Sequence, residues 1–324
     1  MRLLFLFFLL SCQHIFAQKA YMPYELERYS PDIYVNALKN EDINFKSELD
    51  ALEFYFLAYK AQRAVDPENY FPKADKKRDE AAAFLISNFP EGYAMAFLEF
   101  LQSSGNSESC NALISAASDY KILLPYQFMA AYVLGERTLE NQFLDEMDNA
   151  GMLSDVLKSF GENAMRAIQN NTLVISQGMQ DLIALKYAAK QSNRTIEVTN
   201  IFAEKLAAFN RIKTDNISAK TKNFIWISPS ISSEFTTQYK QSLYLWGIGF
   251  ALSDSDKNLA VAIQSTGRSF VGLSHKADSP ADRGLIQSYS YFAKAYQAYA
   301  LESGEDMDIS KSGKISLYIT NQIK

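Results

Sequence analysis

Thr172-Leu173-Val174-Ile175-Ser176 is a short apolar run rich in branched residues, followed by Gln177-Gly178 and a helical stretch from Asp181 to Lys190. Thr195-Ile196-Glu197-Val198-Thr199 then repeats the branched pattern. Runs of this kind, bounded by turn residues, read as strands. A strand, a helix and a strand in that order predict parallel pairing through a right-handed crossover. Asn223-Phe224-Ile225-Trp226-Ile227-Ser228, ended by Pro229, reads as a third strand.

Upstream, the pattern from Phe45 to about Ile168 is helical almost throughout. Leu49, Leu52, Phe56, Tyr59 and Arg63 recur at steps of three and four, as one helix face requires. Asp66-Pro67 ends that helix, Lys73 to Phe89 supplies the next, and Pro90 and Pro125 each open another. Pro90-Glu91-Gly92-Tyr93-Ala94-Met95-Ala96-Phe97 can be laid over Pro125-Tyr126-Gln127-Phe128-Met129-Ala130-Ala131-Tyr132, so that Ala96 falls on Ala131 and Phe97 on Tyr132. Helix–turn–helix units that recur every ~34 residues have the tetratricopeptide spacing. The Trp-Leu-Gly-Tyr consensus of those repeats is absent. Downstream, helices are expected to resume from about Thr237, with Leu259–Ser265 and Leu285–Leu301 among them. Gly313–Ile319 reads as a last strand or a tail.

The expected fold class is therefore mainly α: a tetratricopeptide-like helical-repeat array with a small inserted parallel strand–helix–strand sheet and C-terminal helices. Residues 18–168 form the repeats and 169–324 the α/β unit with its helices.

The stretch from Met1 to Ala17 carries a separate message. Arg2 precedes an apolar run from Leu3 to Leu10, and Ala17 offers a small residue for cleavage, which reads as a secretory signal peptide. Eight apolar residues are far short of the roughly 20 that span a bilayer. Leu9-Leu10-Ser11-Cys12 also resembles a bacterial lipobox, in which Cys12 would be acylated, although Leu10 is bulky for its place. The expected location is periplasmic or extracellular, with a lipid anchor at Cys12 as the alternative.

At Ser176 a family pattern comes into view. Ser176-Gln177-Gly178-Met179-Gln180-Asp181-Leu182-Ile183-Ala184-Leu185-Lys186-Tyr187 resembles the segment Thr-Asn-Gly-Asp-Asn-Asp-Thr-Phe-Pro-Leu-Trp-Tyr. That segment belongs to the soluble C-terminal region of bacterial mannosyltransferase-like multi-spanning membrane proteins and related envelope proteins. Val198-Thr199-Asn200, Leu243-Tyr244-Leu245-Trp246-Gly247-Ile248-Gly249-Phe250, Asn258-Leu259-Ala260-Val261 and Tyr299 with Ser303-Gly304-Glu305 continue the parallel, from about Asn170 to the C-terminus. The acidic-amide cluster of that family would put Asp and Asn where Met179 and Gln180 stand, so only Gly178 and Asp181 persist. The resemblance implies an architecture more than an activity.

Composition removes whole classes of chemistry. The chain of 324 residues is 48% hydrophobic, with 22 Phe and 19 Tyr, which supports a large core rather than disorder. A net charge of −5 leaves no basic surplus for phosphate backbones. There are two Cys and two His, and once Met1 to Ala17 are set aside only Cys110 and His275 remain. That excludes an internal disulfide, a Cys/His zinc site and haem held by two His. A Ser-His-Asp triad must use His275, yet Gly267-Arg268-Ser269-Phe270-Val271-Gly272 is one residue too long for the nucleophile elbow. Gly247-Ile248-Gly249 lacks the third glycine of a dinucleotide fingerprint, so close helix packing accounts for it better.

Asp306-Met307-Asp308-Ile309-Ser310 begins like a calcium loop, but Lys311 occupies the glycine position and Leu317 the bidentate Glu position; Asp254-Ser255-Asp256-Lys257-Asn258 fails the same way at Leu259. The 37 acidic residues offer many carboxylate pairs, but sequence gives no distances between them. No cofactor and no catalytic residue is expected. The leading expectation is a non-catalytic exported protein whose helical repeats bind a protein partner in the bacterial envelope, with Tyr and Phe as anchors. The alternative is a degenerate enzyme or a small-ligand or cation module at Ser176, Gln177, Gly178 and Asp181, where a strand-to-helix turn offers free N–H groups.

Overall fold

The computed structural model describes residues 45–63, 72–103, 106–116, 121–168, 170, 172–176, 178–200, 225–229, 243–252, 272, 275–277, 282, 285–286, 288–290 and 293. Described residues up to Ala150 form one compact unit, and those from Gly151 onward form a second.

The first unit is helical: α1 (Glu48–Arg63), α2 (Pro72–Asn88), α3 (Tyr93–Gln102), α4 (Ser107–Ser115), a short 3-10 turn (Lys121–Leu123), α5 (Leu124–Leu134) and α6 (Arg137–Asn149). Ser47 starts α1 by accepting the Asp50 N–H at 3.1 Å, and Asn106 starts α4 by accepting the Ser109 N–H at 2.8 Å. The face expected of α1 is the buried one, since Leu52, Phe56 and Tyr59 all lie in the core. Helices pack in chain order, α1 on α2, α3 on α4, α4 on α5 and α5 on α6. Alternate helices also meet through three rings. Phe56 of α1, Phe97 of α3 and Tyr126 of α5 have centroids 4.9–5.2 Å apart, within the range where aromatic pairs attract.

Two details of the sequence reading shift. Pro125 lies in the first turn of α5, but Pro90 falls in a turn ahead of α3. Burial recurs one position short of the proline-to-proline spacing. Ala94 and Phe97 are buried and match the buried Phe128 and Ala131, whereas Ala96 and Tyr132 are half-buried.

In the second unit α7 (Asp155–Ala167) leads to β1 (Leu173–Ser176), α8 (Met179–Gln191), β2 (Glu197–Asn200), β3 (Ile225–Ile227), β4 (Leu243–Trp246) and β5 (Gly249–Leu252). The sheet order is β2-β1-β3-β5-β4. Both neighbours of β1 run parallel to it, as the strand–helix–strand reading requires, and β3, β5 and β4 pair antiparallel. α7 was grouped with the helical part in the sequence reading, but it packs on α8, and Gly161 makes that approach possible. A Cβ there would lie 2.2 Å from the Ala184 carbonyl oxygen. The last turn of α7 is held by Arg194, whose guanidinium donates to the Met165 and Ile168 carbonyls, a favourable place for a cation. Described residues between 282 and 293 are helical, as expected for that stretch, and the Asn163 amide of α7 donates to the buried Tyr289 hydroxyl at 2.9 Å.

Residues 243–252 correct the expectation that helices resume near Thr237. They form a hairpin whose two-residue turn is Gly247-Ile248, with Trp246 paired to Gly249. Gly247 has φ +65°, the conformation that a tight hairpin demands at its first turn position. Gly249 lies under Trp226, and a Cβ there would stand 2.3 Å from the indole ring. The two glycines thus serve a turn and a cross-strand contact, not helix packing.

The stretch 1–17 read as a signal peptide, Cys12, Gln177, 259–265 and 313–319 lie outside the described residues.

Candidate functional site

Apolar side chains fill β1 and β3, and then all three parallel strands turn polar at the same level. Register pairs Ser176 of β1 with Asn200 of β2. On the other side Ile175 pairs with Ile227, and the Ser228 N–H donates to the Ile175 carbonyl at 2.8 Å, which sets Ser228 one step beyond β3 in the same row. Ser176 and Ser228 are fully buried.

This row coincides with a change of direction in the topology. From β1 the chain passes through α8 to β2 on one side, and the next strand, β3, lies on the other side of β1. In open sheets with parallel strands, ligands bind outside the carboxyl ends where the connections diverge.

Three of the four candidate residues are described here. Ser176 has a hydroxyl with no hydrogen-bond partner among the described residues, although it is fully buried. Buried polar groups are nearly always paired, so such a hydroxyl demands a reason. Gly178 has φ +118° and ψ 155° and occupies the N-cap of α8, a backbone conformation essentially reserved for glycine. Asp181 is fully buried in the first turn of α8, the end of a helix that favours an acidic side chain. Ser228 was missed by the sequence reading. The signal for it was a polar residue at the end of a branched run, level with Ser176 once Ile175 is paired with Ile227.

Other candidates do not assemble. Among the described residues no group of three or more His, Cys, Asp or Glu could hold a metal ion. Both calcium-like segments lie outside the described residues, as does Ser269. His275 Nδ1 stands 3.7 Å from an Asp155 carboxylate oxygen, beyond hydrogen-bonding distance. Ser159, one turn along α7 from Asp155, is covered by the backbone of Gly272, where a Cβ would lie 2.1 Å from its Oγ. Cys110 is fully buried, and burial pushes its thiol up to about 11, so it is protonated and poorly nucleophilic at neutral pH.

Compared with known proteins, the chain matches no family model, no curated protein and no solved structure. Among the described residues no helix is long and apolar enough to cross a membrane.

Proposed function

We propose that this is an exported, non-catalytic binding protein of the bacterial envelope, and that its second unit holds a small polar ligand at the carboxyl ends of β1 and β3. One observation carries the reading: the Ser176 hydroxyl is fully buried and without a partner among the described residues, on the strand at which the order of the sheet reverses. A ligand group would supply what that hydroxyl lacks. Gly178 holds there a backbone conformation essentially reserved for glycine, and the resemblance of 176–187 to the envelope-protein segment points to the same turn. A thermal-shift screen of small polar metabolites tests it. The expected ligand raises the melting temperature of the native chain and raises that of Ser176→Ala much less. An equal rise in both counts against the site.

A second reading rests on the ring contacts among Phe56, Phe97 and Tyr126. They join alternate helices, which favours stacked helix pairs of the tetratricopeptide-like kind over a closed bundle. Stacked pairs offer an extended surface to a protein partner. A photo-crosslinker at Ile86 or Val133, the exposed large apolar side chains of α2 and α5, should capture one partner in cells. Absence of any adduct from either position would retire the reading.

A further inference from the structure

We draw no further inference here: the strongest candidate, the side-chain cluster of Asp155, Ser159 and His275 where Gly272 and His275 lie against the start of α7, carries nothing, because His275 Nδ1 stands 3.7 Å from the Asp155 carboxylate, beyond a hydrogen bond, and the backbone of Gly272 covers Ser159.

Discussion

The Glu48 carboxylate accepts the Ala94 N–H at 2.8 Å and thereby caps α3, a helix far beyond it along the chain. Gly92, the N-cap of α3, has no side chain to do this. It also leaves room for the carboxylate, since a Cβ there would lie 2.1 Å from Glu48 Oε1. Glu48→Ala should cost about 0.5–2 kcal/mol, the usual loss of a cap. Glu48→Gln keeps an acceptor and should cost less. Urea midpoints of the two variants check the order.

Titration of the same carboxyl gives a pH dependence. Burial raises its pKa, and the hydrogen bond from Ala94 pulls it back only in part. A raised carboxyl favours the fold while protonated, so its contribution is present below the ordinary carboxylate range and is lost as pH rises through the raised value. Glu48→Gln should therefore reduce the fall in urea midpoint between pH 4 and pH 7. Asp75, also raised by burial, contributes in the same direction and will leave part of the slope behind.

Ser176→Ala removes a buried hydroxyl that has no partner among the described residues. Relieving an unsatisfied polar group is worth about 1–3 kcal/mol. The ligand-free variant should consequently melt above the native chain, which is unusual for a truncation at a fully buried position. Differential scanning calorimetry in ligand-free buffer reads this directly, and a clear fall in melting temperature would mean that the hydroxyl is satisfied.

Gly161→Ala sets two effects against each other. Alanine favours a helix over glycine by about 1 kcal/mol. Against this, its Cβ would meet the Ala184 carbonyl at 2.2 Å and the Ala188 Cβ at 2.9 Å. Backbone on the facing helix cannot rotate away, so α7 and α8 must separate, and overpacking costs about 1–3 kcal/mol. Net destabilisation is expected, visible as a lower urea midpoint.

Cys110 should resist iodoacetamide at pH 8 in the native chain and react in urea. Peptide mapping by mass spectrometry separates it from Cys12. Fast native alkylation would contradict both its full burial and its raised pKa.

The β1–α8–β2 unit was legible because branched apolar runs and a crossover helix leave one parallel solution. Trp226 and its neighbours were equally plain, a continuous apolar run closed by Pro229. The 243–252 hairpin was not, because Gly247-Ile248-Gly249 invites comparison with glycine-rich loops. The discriminating feature was geometric: a two-residue turn between short paired runs, with the second glycine needed beneath Trp226. At the candidate site, Gly178 and Asp181 stood out as a turn residue and a first-turn acid. Ser228 did not, because only the pairing of Ile175 with Ile227 brings it level with Ser176, across a long stretch of intervening chain.

That same pairing has a bearing on how the chain assembles itself. During synthesis β1, α8 and β2 are complete long before Ile225 is made. Through that interval one edge of β1 offers the unused backbone groups of Leu173, Val174 and Ile175, a sticky margin open to any passing extended segment. Closing it requires a contact between residues far apart in sequence, Ile175 and Ile227, which local helix formation cannot hasten. Chains cut short before Ile225 should therefore aggregate, whereas chains that extend through Leu252 can cover both β1 and β3.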